Sequence, residues 1–253
     1  MFRLGCTSYV YPDTMLSNVE QCAGLFDDIE MIFFESEGVN NWPTAQEIDK
    51  MADILKQKST TVTIHFPIDS MAGSEEDKER ASFCEQALKL VAHTAPLDPF
   101  AYILHLEGVD RNASHHVMLE WRKRTRDISQ ALLGCTKVDP AKVAVENLNY
   151  PWEWNQIPAR ESGFSFCLDF GHFCRYGVDW RKPFRMLLPE TRVIHLHGWN
   201  GEKDHVSLEE HDRKDLEELA IILKREFSGV VSLELFETKA VFDSKKLWEE
   251  LCR

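Results

Sequence analysis

The stretch Lys142-Val-Ala-Val-Glu-Asn-Leu148 is a short, nearly continuous apolar run that ends in a carboxylate and an amide. A run of this kind is typical of a parallel β-strand that is covered on both faces. Seven similar runs are spread along the chain: Phe2–Ser8, Ile29–Glu35, Thr60–Phe66, Ala101–Leu106, Phe164–Asp169, Arg192–His197 and Val230–Leu235. Amphipathic or charged stretches separate the runs, so the pattern predicts eight βα units.

The length of the chain agrees with this count, because 253 residues is the usual size of one (β/α)8 barrel. The 10 prolines and 12 glycines lie at the ends of predicted elements and form no linker or low-complexity segment. We therefore predict an α/β fold, a TIM barrel that forms a single domain over residues 1–253.

Charge and cysteine content narrow the expected partners and compartment. The 42 acidic and 29 basic residues leave a formal net charge of −13, which repels nucleic acid, so we expect a small-molecule substrate instead. The seven cysteines are an odd number without C-x-x-C spacing, as is typical of reduced thiols. The chain starts on a predicted strand and has no long apolar run, so we expect a cytoplasmic protein away from membranes. The oligomeric state stays open.

Six side chains with metal-binding chemistry fall at or near the carboxyl ends of six predicted strands. They are His65, His105, Glu146, Asp169, His195 and Glu234. The carboxyl ends of the strands form the active-site face of a TIM barrel, so these groups should meet in one space. Closely spaced carboxylates repel each other, whereas mixed nitrogen and oxygen donors suit Zn²⁺, Mn²⁺ or Fe. The pattern predicts a metal centre of this type.

Two further segments bring candidate ligands. His172 follows Asp169 in the stretch Asp169-Phe-Gly-His172, and Asp204 and His205 lie in the loop after the seventh predicted strand. Asp204 and His205 either complete another metal site or simply face water. The alternation of side chains along a strand predicts that His197 faces away from His195, outside the ligand set.

Candidate substrate contacts come from two loops. Tyr150, Trp152 and Trp154 follow the fifth predicted strand and either stack on a flat substrate or pack against neighbouring helices. Glu35 ends a predicted strand, which favours substrate contact over helix capping. A G-x-S-x-G elbow, a P-loop and a G-x-G-x-x-G turn are all missing from the sequence, so hydrolysis or isomerisation at a metal remains.

The motif series resembles that of the xylose isomerase-like TIM barrels (AP endonuclease family 2), which include sugar isomerases, epimerases and endonucleases. The motifs are Thr-Ile-His65-Phe-Pro, Ile-Leu-His105-Leu-Glu-Gly, Val-Glu146-Asn-Leu, Leu-Asp169-Phe-Gly-His172, Ile-His195-Leu-His-Gly, Lys-Asp204-His205 and Leu-Glu234. The resemblance to the endonuclease branch implies two or three divalent metal ions. The first would use His65, His105 and Glu146; the second Glu146, Asp169, His195 and Glu234; the third His172, Asp204 and His205. The family often has Asp-x-His where Asp204 and His205 are adjacent here.

A closer resemblance is to the cobamide-remodelling phosphodiesterases. It is carried by Asp28 to Ser36, Pro96 to Gly108, Glu146 to Pro151, and His195 to Leu208. It implies a hydrolase that cleaves the phosphodiester-linked nucleotide loop of a corrinoid, with water activated at metal ions and Glu146 and Glu234 as catalytic residues. The alternative is a metal-dependent sugar or sugar-phosphate isomerase or epimerase, in which the same two glutamates move protons. A corrinoid carrier without catalysis is a third hypothesis.

Overall fold

Eight parallel strands close into a barrel in the computed structural model, which describes residues 2–36, 39–68 and 70–253. The strands in chain order are β1 (Arg3–Thr7), β2 (Asp28–Ile32), β3 (Glu35–Ser36), β4 (Val39–Asn40), β5 (Thr61–His65), β6 (Ala101–Leu104), β7 (Val143–Glu146), β8 (Ser165–Asp169), β9 (Thr191–Leu196) and β10 (Val230–Leu233). β3 and β4 form a separate antiparallel pair, and β1 closes the barrel by pairing with β10. The predicted (β/α)8 TIM barrel is confirmed.

Helices surround the barrel. They are α1 (Met15–Cys22), α2 (Ala45–Lys58), α3 (Asp77–Thr94), α4 (His115–Thr136), α5 (Gln156–Glu161), α6 (Phe170–Arg175), α7 (Arg181–Leu187), α8 (Arg213–Glu226) and α9 (Thr238–Leu251). The longer helices bury one apolar stripe; on α8 it includes Leu216, Leu219 and Leu223. Across the described residues, none of the helices combines the length and apolar character needed to cross a membrane.

Each of the eight predicted runs overlaps a barrel strand, but the second run continues beyond the end of its strand. β2 ends at Ile32, and the chain then leaves the barrel for the β3 and β4 pair. Glu35 therefore lies in β3 and does not end a barrel strand. Its side chain lies outside the part of the chain that the structure describes.

The alternation of side chains along the barrel strands positions the candidate ligands. A small apolar cluster separate from the main core contains Ala144 of β7, Cys167 of β8 and Val193 of β9. Two residues further along each strand, on the same face, come Glu146, Asp169 and His195. Apolar packing therefore continues directly into a layer of charged side chains at the carboxyl ends of the strands.

The packing of α8 predicts unequal effects for two neighbouring aliphatic residues. Leu219 is fully buried, whereas Ile221 is 64% exposed. We expect Leu219→Ala to lower the free energy of unfolding by about 2–5 kcal/mol, because it removes buried methyl groups and leaves a cavity. The control Ile221→Ala should stay within about 0.5 kcal/mol of the wild type. Urea unfolding followed by circular dichroism measures both, and equal losses would contradict this packing.

Candidate metal centre

The barrel brings all six predicted strand-end residues to one end of the molecule. His65, Glu146 and Asp169 are the last residues of β5, β7 and β8. His195 is the second-last residue of β9, and His105 and Glu234 directly follow β6 and β10. The metal binding itself stays a prediction.

Glu146 lies at the centre of the cluster. Its Oε2 atom is 3.0 Å from Nε2 of His105 and 3.8 Å from Nε2 of His65. The same oxygen is 3.3 Å from Nδ1 of His195, and the other oxygen is 3.4 Å from Nδ1 of His172. One carboxylate is thus shared between imidazoles from four segments of the chain, as a ligand that bridges two ions would be.

Two groups of donor atoms meet at this carboxylate. In the first, donors of His65, His105 and Glu146 all lie within 4.8 Å of one another. In the second, Nδ1 of His195 is 3.3 Å from carboxylate oxygens of both Glu146 and Glu234, and 3.9 Å from Asp169. The second group, with donors from all four residues within 4.8 Å of one another, has the nitrogen and oxygen composition of a Zn²⁺, Mn²⁺ or Fe site.

The donor atoms fit a bound cation. Nδ1 of His195 and Oε2 of Glu234 lie 3.3 Å apart, are buried and have no hydrogen-bond partner. Buried polar atoms are normally satisfied, so unpartnered atoms gathered around one point call for a missing partner. Glu146, Asp169 and Glu234 also bring three carboxylates together where little water can screen them. A divalent ion would satisfy the lone pairs and offset this repulsion.

The imidazoles and carboxylates of the cluster strongly perturb one another. Burial by itself would raise the pKa of Glu146, but His195 and His105 outweigh it and hold the pKa well below its usual range. Burial likewise opposes the charge on Asp169, yet His172 and His197 lower the pKa of that carboxyl. The carboxylates are thus ionised, as metal ligands must be.

A third group of donors differs from the predicted one. His172, His197 and His205 have ring nitrogens within 4.8 Å of one another. Asp204 lies outside this group, because its carboxylate pairs with Arg175 and stays 4.0 Å from Nε2 of His205. His197 thus takes the place predicted for Asp204 in this group, and metal binding by Asp204 stays a prediction.

His197 lies closer to the cluster than strand alternation predicts. β9 ends at Leu196, so the alternation does not continue to His197, and its buried ring turns toward Asp169 at 3.2 Å. Its ring stacks on that of His205, with centroids 4.0 Å apart and planes inclined by 26°. The lone pairs of an imidazole lie in the plane of its ring, so two nearly parallel, stacked rings direct their lone pairs in parallel planes. These two imidazoles are therefore poorly placed to coordinate the same ion.

Glu30 is a residue that the sequence interpretation missed. It lies in the middle of β2, is fully buried, and places Oε2 3.0 Å from Nε2 of His195. The Nδ1 atom of the same ring faces Glu146, Asp169 and Glu234. A carboxylate behind the imidazole orients a metal-ligating histidine. The signal was present, because a glutamate inside an apolar strand needs a partner.

The aromatic residues after β7 pack against the protein. Tyr150 and Trp152 are only 4% and 5% exposed. The rings of Tyr150 and Trp154 stack 6.4 Å apart, and Trp121 of α4 lies 5.0 Å from Tyr150. This arrangement agrees with the second of the two alternatives for these residues, packing against the protein, and stacking on a substrate stays a prediction.

A cavity of about 990 Å³ opens above the cluster. His65, His105, Glu146, His172, His205 and Glu234 line its floor. Much of its wall is apolar or aromatic and comes from Tyr9, Val10, Tyr11, Pro12, Ile32, Phe34, Ile68 and Phe236, and its polar part comes from Glu107, Glu237, Thr238 and Lys239. A second cavity of about 700 Å³ adjoins the first, shares His105, Glu107 and His172 with it, and also has Asp110 and Tyr176 in its lining. The candidate centre is thus accessible from two adjoining cavities.

A closed parallel barrel with His, Asp and Glu donors at the carboxyl ends of its strands defines a TIM barrel with a candidate metal centre. The family described as the xylose isomerase-like TIM barrel matches residues 19–253, so the chain belongs to this family. A comparison with curated proteins found no match.

Solved structures of similar fold include epimerases. A D-tagatose 3-epimerase-like protein is 17% identical over 99% of this chain and 97% of that chain, with a TM-score of 0.81. The IolI protein with a zinc atom is 14% identical over 99% and 98%, with a TM-score of 0.74. The E. coli 3-keto-D-glucoside 4-epimerase YcjR is 14% identical over 99% of each chain, with a TM-score of 0.71. At these identities the likeness shows the fold.

The charge on His105 predicts how the metal-free protein responds to pH. Burial alone would lower the pKa of His105, but the Glu146 and Glu107 carboxylates raise it to about 10. An unfolded histidine titrates near about 6.5. The stabilisation of the folded protein by the charged His105 is therefore fully present below about pH 6.5 and is lost as the pH rises toward 10.

We accordingly expect the free energy of unfolding of chelator-treated protein to fall between about pH 7 and pH 10, and to fall less in His105→Asn. Urea unfolding at stepped pH values measures the two slopes. Identical slopes for the wild type and the variant would contradict the assignment of this charge to His105.

Proposed function

We propose that the protein is a metal-dependent phosphodiesterase that hydrolyses the phosphodiester-linked nucleotide loop of cobamides. The observation that carries the proposal is the sharing of Glu146 between two donor groups, one with His65 and His105 and one with Asp169, His195 and Glu234. A centre that holds one ion for isomerisation needs only the second group. The first group supports a centre with at least two ions.

Divalent ions held by these groups would lower the pKa of water and neutralise phosphoryl oxygens during in-line attack. The chain itself supplies Glu146 to hold the two groups together and Glu234 at the edge of the large cavity. Glu234 lines the large cavity, so a carboxylate oxygen of Glu234 that is not bound to an ion would accept the proton of the attacking water. In the net reaction, water adds to phosphorus, one P–O ester bond breaks, and a phosphomonoester and an alcohol are released.

The shape and charge of the molecule support a bulky small-molecule substrate. The cavity of about 990 Å³ is at the upper end of the range for small-molecule sites. Its apolar wall suits a large ring system, and the donor cluster on its floor suits a phosphodiester. The net charge of −13 disfavours a long polyanion, whereas locally bound cations still attract one phosphate. The choice of a cobamide rests on the branch resemblance of the sequence.

The second candidate function is a sugar or sugar-phosphate isomerase or epimerase. Glu146 and Glu234 each lie 3.3 Å from the same nitrogen of His195, so two carboxylates flank one candidate ion. Such a pair can remove a proton from one carbon face and return it to another position. The epimerases among the structures of similar fold favour this alternative.

A direct assay distinguishes the two functions. We expect purified protein with Zn²⁺ or Mn²⁺ to convert a cobamide into products whose summed mass exceeds the substrate by one water, as measured by liquid chromatography and mass spectrometry. Glu234→Gln should slow the reaction by about 10²–10⁴-fold, because a general base is lost. An intact nucleotide loop, together with epimerisation of D-fructose or D-tagatose, would replace the proposal by the alternative.

The first donor group provides an independent test. We expect the double variant His65→Ala, His105→Ala to bind one ion fewer per chain by elemental analysis and to lose more than about 100-fold of phosphodiesterase activity. The exposed His116 of α4 supplies the control, His116→Ala, which should keep both properties. An unchanged metal content in the double variant would remove the basis for a centre with more than one ion.

A further inference from the structure

We propose that His197 is a positioning residue that fixes the carboxylate of Asp169 for metal binding; this inference rests on the proposed metal centre. Nε2 of His197 lies 3.2 Å from both carboxylate oxygens of Asp169. Both side chains are fully buried, and His197 does not line the large cavity. Its contact is therefore with the proposed ligand and not with a substrate.

The backbone holds the Nδ1 edge of the His197 ring in place. The backbone N–H of His205 lies 3.0 Å from Nδ1 of His197, and the backbone C=O of Gly198 lies 3.2 Å from the same nitrogen. A carboxylate only accepts hydrogen bonds, so Nε2 of His197, which faces Asp169, carries a proton. His205 has φ of 51°, a left-handed conformation that non-glycine residues rarely adopt. This unusual backbone aims the N–H at the ring.

Gly171 leaves the space that the His197 ring occupies. A Cβ atom at Gly171 would lie 2.6 Å from Nε2 of His197 and closer still to two other ring atoms. On its other face the ring stacks on His205 at a centroid distance of 4.0 Å. The ring is thus confined between the first turn of α6 and the loop after β9. The sequence Asp169-Phe-Gly-His172 therefore combines a proposed ligand with the small residue that admits its orienting partner.

The His197 contact completes the orientation of Asp169. Oδ1 of Asp169 also accepts a hydrogen bond from the backbone N–H of His172 at 2.6 Å, as the N-cap of α6. The backbone of Asp169 is held by Asn147, which accepts from its N–H at 2.8 Å and donates to its C=O at 3.0 Å. Outer partners of this kind typically change metal affinity by about 10–100-fold when they are removed.

The test compares two substitutions at one position. His197→Phe keeps a flat ring but removes the N–H that faces Asp169. In the His197→Gln variant, the amide N–H of the new side chain can still reach the Asp169 carboxylate. We expect His197→Phe to weaken Zn²⁺ binding by about 10–100-fold in isothermal titration calorimetry with a competing chelator. His197→Gln should recover most of the affinity, and the number of ions per chain should not change in either variant.

Two glycine variants test the position of the ring without changing a polar group. Gly171→Ala should displace the ring and weaken Zn²⁺ binding as His197→Phe does. Gly134→Ala is the matched control, because a Cβ there meets nothing within 4 Å on α4. Circular dichroism establishes that each variant is folded before titration. If His197→Phe does not fold, the affinities of His197→Gln and Gly171→Ala decide the question.

Three results would overturn the proposal. Wild-type Zn²⁺ affinity in His197→Phe, or in Gly171→Ala, would show that the contact with Asp169 does not matter. An equal loss in His197→Phe and His197→Gln would show that the N–H is not the reason. The loss of one ion per chain with unchanged affinity for the others would make His197 a ligand.

These titrations use Zn²⁺ alone, so they stay valid if the protein fails to cleave a cobamide. If the wild-type protein binds no Zn²⁺, both the proposed metal centre and this role of His197 are removed.

Discussion

The burial of one carboxylate, that of Glu146, sets the constraint for the whole carboxyl-terminal end of the barrel. A carboxylate removed from water needs positive charge and hydrogen-bond donors close by. Here those partners are imidazoles from three other strand ends, with His105 at 3.0 Å and His195 at 3.3 Å. Proton-bearing imidazoles can balance the charge in the metal-free protein, and the proposed ions would take over that role. The same interaction therefore contributes to folding and defines the site.

Two side chains outside the proposed ligand set contact the proposed ligands of the candidate centre. Glu30 contacts the far nitrogen of His195, and His197 contacts the carboxylate of Asp169. Both outer partners are fully buried, so neither competes for substrate. They come from different elements, β2 and the loop after β9, and reach the ligands only because the barrel is closed. Precise ligand geometry is thus a property of the assembled barrel and not of any one βα unit.

The floor and the wall of the large cavity above the cluster differ in polarity. Its floor carries the candidate metal ligands, while the apolar part of its wall comes from Ile32 at the end of β2 and from the segments that follow β1, β2, β5 and β10. Phe236, which is 45% exposed, belongs to this wall. The apolar part of the wall suits a large ring system, and the polar side chains of Glu237, Thr238 and Lys239 offer hydrogen-bond partners to a sugar.

Sequence alone predicted the barrel and the six strand-end donors, because buried parallel strands are apolar and any polar residue at their carboxyl ends stands out. The resemblance to the endonuclease branch further implied that His65 and His105 group with Glu146. Tertiary structure decided the rest. Burial of Tyr150 depends on packing with Trp121 of α4, and the pairing of Asp204 with Arg175 depends on how the loop after β9 folds back. The role of Glu30 was not evident from the sequence because its partner, His195, lies far away along the chain. The role proposed for His197 was not evident because His197 lies beyond the end of β9, where side-chain alternation stops.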